Sequence, residues 1–143
     1  MKKRYLNPQQ LFEPRFFTHT VAVSGGFTLA FVAGQVAYDR DGLVVGKGDI
    51  RAQSEQVFKS LTLNLKAVGA DWGDVVKMNA YMVHATPDAL NIYREVRSRF
   101  LDPKALPAST LIGIERLVHD DLLLEVEVIA AIPARSVPKS SKR

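Results

Sequence analysis

The stretch Leu106-Pro107-Ala108-Ser109-Thr110-Leu111-Ile112-Gly113-Ile114, followed past a polar turn by Leu122-Leu123-Leu124-Glu125-Val126-Glu127-Val128-Ile129-Ala130-Ala131-Ile132, decides the fold. Two apolar runs of strand length around a polar segment read as a closing β-hairpin. In the second run, Leu122 to Leu124 with Val126, Val128 and Ile129 leave little that is polar on either face. A sheet that is apolar on both faces needs covers on both sides.

Working outward, the covers come from two helical segments. Asp49 is an N-cap residue ahead of Val57, Leu61, Leu65 and Val68, whose spacings of four, four and three make one apolar stripe that Phe58 widens. Residues Asp74 to Val83 then read as a strand. Thr86-Pro87 supplies an N-cap and first-turn proline for a second helix, with Ala89, Tyr93, Val96 and Phe100 inward. Before the first helix, Val21-Ala22-Val23 and Thr28 to Val32 flank Ser24-Gly25-Gly26 as a hairpin. Gln35 to Tyr38 and Leu43 to Val45 flank Asp39-Arg40-Asp41-Gly42, a turn, because no glutamate closes a twelve-residue calcium loop there. The expectation is an α/β (α+β) domain with two helices packed on one face of a mixed β-sheet. Two helices cover one face only, so a partner subunit is expected on the other.

Charge placement limits the partners. The net charge is +4, but seven basic residues lie in the terminal segments: Lys2, Lys3, Arg4, Arg135, Lys139, Lys142 and Arg143. The remainder holds twelve basic and fifteen acidic residues, a net of −3. That argues against nucleic acid, which calls for a basic stripe on the folded surface. There are no cysteines, which excludes disulfides and thiol nucleophiles. No run approaches the ~20 apolar residues of a membrane span, and no apolar leader core follows Met1-Lys2-Lys3-Arg4. The expected location is the cytoplasm. The expected division is an N-terminal extension over 1–15, one domain over 16–134 and a basic, disordered tail over 135–143. No metal site and no cofactor are expected.

Five ordered segments carry a family resemblance. They are Phe17-Thr18-His19-Thr20-Val21, Val32-Ala33-Gly34-Gln35-Val36, Leu61 to Lys77, the helix holding Tyr93 and Phe100, and Pro107-Ala108 through Glu125-Val126-Glu127. Together they resemble the Rid family, the YjgF-type imine and enamine deaminases. The resemblance implies a chorismate-mutase-like fold and a homotrimer that binds a small-molecule ligand in clefts between subunits. It also implies that Phe17, Thr18, Gly34, Leu90, Tyr93, Ser109 and Leu111 line the substrate site, with Glu125 as the catalytic carboxylate once one residue is inserted in the turn before it.

The departures fall on the family's working positions. Ser109 stands where relatives carry the arginine that holds the substrate carboxylate, Phe17 where a tyrosine is usual, Leu90 where an asparagine is usual, and Leu111 where a cysteine is common. Standard 2-aminoacrylate deamination is therefore not expected. Hydrolysis of an imine, enamine or related C–N bond by a water that Glu125 activates is the enzymatic reading. A ligand-binding or chaperone-like module and an endoribonuclease or translation inhibitor are the alternatives. A tight hairpin around Leu117 sets Ser109 opposite Glu125, and His19 is the histidine expected near the site. Arg94, Arg97 and Arg99 are expected on a solvated helix face, Arg116 in the turn and Glu127 on the surface, and one of these arginines reaching a neighbouring subunit's cleft is the remaining route to an anion site.

Overall fold

The computed structural model describes residues 1–134, so the expected tail over 135–143 lies outside the described residues. The elements run β1 (Lys2–Leu6), β2 (Thr20–Ser24), β3 (Phe27–Gln35), α1 (Ile50–Ala67), β4 (Val75–Val83), α2 (Pro87–Ser98), β5 (Ala108–Ile114) and β6 (Leu124–Pro133). A short 3-10 turn, Trp72–Asp74, precedes β4.

Both helices begin where the sequence predicts. The Asp49 carboxylate accepts from the backbone N–H of Arg51 and of Ala52, each at 3.0 Å, so α1 starts on two satisfied donors. It stops at Gly69, whose φ of +73° lets Ala70 N–H donate back to Leu65 and Gly69 N–H to Lys66, a Schellman closure. The Thr86 hydroxyl accepts from Ala89 N–H at 3.2 Å at the start of α2.

The strand pairing differs from the expected hairpins. The main sheet has the order β3-β6-β4-β5. Strand β6 lies antiparallel between β3 and β4, and β5 lies parallel to β4 at the edge. The closing hairpin does not form. β4, α2 and β5 make a crossover unit instead, and a helical crossover returns the chain parallel. Burial explains the exchange: every second residue of β6 from Leu124 to Ile132 is buried, whereas Thr110, Ile112 and Gly113 of β5 are exposed. A strand apolar on both faces belongs in the middle of the sheet, and a half-exposed one at its rim. The first expected hairpin is also replaced. β2 pairs with β1, a strand within the expected N-terminal extension, and the two form a separate ribbon. Tyr38 and Val44 make a single bridge around the predicted Asp39–Gly42 turn.

Both helices pack on one face of the sheet. Leu124, Val126 and Val128 of β6, with Met78, Ala80 and Met82 of β4, meet Val57, Phe58, Leu61 and Leu65 of α1 and Tyr93 and Val96 of α2. Phe58 stacks on Trp72 at 5.3 Å and on Phe100 at 5.0 Å. The opposite face carries Leu29 and Phe31 of β3, and Phe31 is 73% exposed.

One polar side chain inside this core ties α1 to the start of β6. Gln53 is fully buried; its amide donates to the Gly46 and Asp121 carbonyls at 3.1 and 2.8 Å and accepts from Leu123 N–H at 2.8 Å. Replacing Gln53 with Leu leaves the Asp121 carbonyl and the Leu123 N–H without partners, since the Gly46 carbonyl keeps its bond from Asp49 N–H, at a cost of roughly 2 kcal/mol or more. A lower urea midpoint at unchanged slope is the expected result. A midpoint equal to that of the parent would show that water reaches those groups.

A cleft between α2 and β5, and a carboxylate on the opposite face

In-register partners share a face of the sheet, and this sorts the candidate residues into two groups. Ser109 pairs with Met78, and Leu111 with Ala80, so both face the helices. Glu125 pairs with Tyr81, on the face away from the helices. The expected cross-strand contact of Ser109 with Glu125 is therefore absent. Strand β4 stands between them, and their side chains leave the sheet on opposite sides.

The helix-side group forms a cavity of about 230 Å³, lined by Phe16, Phe17, Tyr93, Arg94, Arg97, Ser109 and Leu111. Phe17 is held there through its neighbour Thr18, which is 5% exposed. The Thr18 N–H donates to Pro107 O at 3.1 Å and its hydroxyl to Leu106 O at 2.7 Å, which fastens the chain ahead of β2 to the loop ahead of β5. Thr18 thus anchors the wall rather than facing the cavity. Leu90 packs against the core from α2 and does not line this cavity. His19 stands edge-on to Phe17 at 5.3 Å, but its Nε2 is 2.9 Å from Phe12 O, and it meets neither Ser109 nor Glu125. Among the described residues, no group of three or more histidine and acidic side chains could hold a metal.

On the other face, Glu125 lies over Gly34. A Cβ at residue 34 would fall 1.9 Å from the Glu125 carboxylate oxygen, so any larger residue there would push the carboxylate out of this position. The register shifts between Val32 and Gln35, and this bulge brings Gly34 under the carboxylate. Glu127, expected on the surface, instead accepts from Asn79 Nδ2 at 2.9 Å and from the Tyr81 hydroxyl at 3.0 Å. That bond to the carboxylate holds the Tyr81 hydroxyl above its ordinary pKa.

The chain and its fold have counterparts among known proteins. Residues 17–132 match the family model of endoribonuclease L-PSP. The chain belongs to that family, the Rid family. A RutC family protein of Pyrococcus abyssi is 34% identical over 100 residues, 70% of this chain and 76% of the relative. The solved structure of YyfB, a Rid family protein from Yersinia pestis, superposes with a TM-score of 0.83 at 32% identity, over 92% of this chain and all of the other. RidA from an Antarctic Psychrobacter superposes at 0.65 with 24% identity, over 81% of this chain and 88% of its own, a likeness of fold alone.

The family resemblance left the cleft without its usual arginine at Ser109, and α2 brings another. Arg97, expected in solvent, is 5% exposed and lines the cavity beside Ser109. It follows Tyr93 by four residues and so lies on the same helix face, a spacing readable from the sequence. Arg99 does lie in solvent, bonded to Glu55 at 3.0 Å and Glu95 at 2.6 Å. Arg94 sits over the Phe16 ring at 4.3 Å. Burial pushes the Arg97 guanidinium below its ordinary pKa, opposed by the adjacent Tyr93. Burial also pushes the Tyr93 hydroxyl up to about 12, against the pull of Arg97.

The Tyr93 shift has a measurable consequence. The folded chain keeps this proton to about pH 12, whereas an unfolded tyrosine releases it near 10.0. The native state binds the extra proton in that window, so its stability falls as pH rises through it, by about 2–3 kcal/mol in total. Tyr93→Phe removes this component. Denaturation of both proteins at pH 9, 10 and 11 is expected to give a flatter alkaline decline for the variant; parallel declines refute the assignment.

Proposed function

We propose that the chain assembles as a homotrimer, and that a small metabolite binds in clefts between subunits. The Glu125 and Gly34 face of one chain then closes against the Phe17, Tyr93, Ser109 and Leu111 cavity of its neighbour. The observation that carries this reading is the separation of the candidate residues onto opposite faces of one sheet. A single chain does not bring Glu125 to Ser109, whereas a second copy seated on the open face does. The exposed Leu29 and Phe31 on that face supply the apolar surface such an assembly buries.

The chemistry that fits is hydrolysis of an imine, enamine or related C–N bond. Glu125 takes a proton from water as its oxygen adds to the carbon of a C=N bond, and the proton passes to nitrogen. The resulting carbinolamine collapses to a carbonyl compound and ammonia, so water is the only co-reactant. No covalent nucleophile is required: Ser109 lines the cavity with Tyr93 and Arg97, and no histidine stands among the lining residues to activate it. Phe17, Leu90 and Ser109 replace polar groups that relatives use, and this keeps 2-aminoacrylate off the reading. The net charge of −3 between the terminal basic clusters favours a small molecule over RNA.

Sedimentation equilibrium is expected to give a trimer for both the parent and Glu125→Gln. Imines generated in the cuvette by an amino-acid oxidase should release ammonia faster with the parent, and Glu125→Gln should lose roughly a hundredfold or more of that rate. A stable monomer overturns the assembly. Full activity in Glu125→Gln overturns the role of the carboxylate. A trimer that binds ligand and hydrolyses nothing makes the protein a binding module.

A further inference from the structure

A second cavity lies beside the cleft, at the C-terminal end of α2. It measures about 240 Å³, and Arg15, Arg94 and Arg97 line it together with apolar residues that include Phe16, Leu101 and Leu106. The bonds of Thr18 to Leu106 and Pro107 bring the segment ahead of it, with Arg15 and Phe16, against the loop that leaves α2. No aspartate or glutamate stands among the lining residues. Asp102 of that loop is turned to its own backbone, accepting from Lys104 N–H at 2.9 Å. Among the described residues, neither Arg15 nor Arg94 meets a carboxylate or a hydrogen-bond acceptor, whereas Arg51 and Arg99 are both paired with Glu95. Burial first, and the charge of Arg94 with it, push the Arg97 guanidinium below its ordinary pKa, against the adjacent Tyr93. The C-terminal end of α2 offers roughly half a negative charge against these three guanidiniums. A cavity lined by one sign of charge and by apolar walls focuses its field on a counter-ion.

We propose that this second cavity is a phosphate site, in which Arg15 and Arg94 hold the dianionic group of inorganic phosphate or of a small phosphate monoester. The two guanidiniums come from different elements, one from the segment ahead of β2 and one from α2. Arg94 lies over the Phe16 ring at 4.3 Å, and a guanidinium resting on a ring leaves the N–H donors at its rim for an acceptor. Arg97 is asked for no bond; it is 5% exposed and adds its charge from the wall that the two cavities share. Charge selects the anion. Two guanidiniums backed by a third balance a dianion more fully than a monoanion, and arginine forks match phosphate oxygens two at a time. The Ser98 hydroxyl gives its proton to Glu95 O at 2.7 Å, so the guanidiniums are the donors on which binding depends. A volume of about 240 Å³ lies below the roughly 300–1,000 Å³ of drug-sized pockets, so phosphate with a short ester chain fits and a nucleotide does not. The site is distinct from the cleft. Arg15, Leu101 and Leu106 belong to it alone, and Tyr93, Ser109 and Leu111 to the cleft alone, so its failure leaves the cleft reading standing.

The test uses calorimetry and the melting temperature of the full-length protein at pH 8, with inorganic phosphate, methyl phosphate, dimethyl phosphate, and sodium chloride at matched ionic strength. Phosphate or methyl phosphate is expected to raise the melting temperature, and chloride is not. Tighter binding of methyl phosphate assigns the site to a monoester, and tighter binding of inorganic phosphate assigns it to the free ion. Dimethyl phosphate, a monoanion of similar shape, is expected to bind about tenfold more weakly than the better of the two. Arg15→Gln and Arg94→Gln should each lower phosphate affinity about tenfold, and Arg15→Lys should keep part of it. Leu111→Phe, in the cleft, should leave it unchanged. Arg15 is exposed, so its variants decide the matter if Arg94→Gln does not fold. A melting temperature that responds to chloride as it does to phosphate, or an undiminished phosphate affinity in Arg15→Gln, overturns the site. Affinity lost in Leu111→Phe and kept in Arg15→Gln places the anion in the cleft and overturns it as well.

Discussion

The position of β6 between β3 and β4 is the constraint on which the rest of the structure depends. Residues 124–132 alternate between a face that closes the core with both helices and a face that presents Glu125, Glu127 and Ile129. Once β6 occupies the centre, β5 can only join the far side of β4, in parallel, through α2. That crossover carries Tyr93 and Arg97 over the sheet and onto Ser109. The candidate cleft and the candidate carboxylate are thus set apart by one topological decision, made where a strand apolar on both faces avoids the rim.

Much of this was legible in the sequence. The stripes of α1 and α2, their caps at Asp49 and Thr86, and the mixed sheet under two helices all follow from local spacing and side-chain chemistry, and the structure has them. Strand partners were not legible in the same way. The Ala108–Ile114 and Leu124–Pro133 runs are consecutive, and short-range pairing is the natural reading of two apolar runs around a polar turn. Which edge a strand joins depends on burial along its whole length, a long-range property. The exposed Thr110 and Ile112 against the doubly buried β6 contain the answer, but only once β4 is known to separate them. β1 escaped notice because five residues with three positive charges carry no apolar alternation.

At the site, residue types and their order name candidates without their sides. The parity rule places Glu125 and Ser109 on opposite faces only when the register is known, and an assumed hairpin puts them together. Arg97 was legible in principle. Its offset of four from Tyr93 places it on the buried face, yet an arginine is assigned to solvent by default because charged side chains are seldom fully buried. The exception matters, since a default about hydration concealed a buried cation in the wall of the cleft.

The pair of hydrogen bonds from Thr18 to the carbonyls of Leu106 and Pro107 has a mechanical meaning. Phe17 and Ser109, ninety-two positions apart in the chain, face each other across a gap whose width is set largely by the main chain, because the tether accepts only on carbonyl oxygens. The jaws of the cleft are therefore clamped independently of what lines them. Side chains at 17, 97, 109 and 111 can be exchanged to change what is gripped without changing how far the jaws open, so one frame can serve as a holder with interchangeable linings.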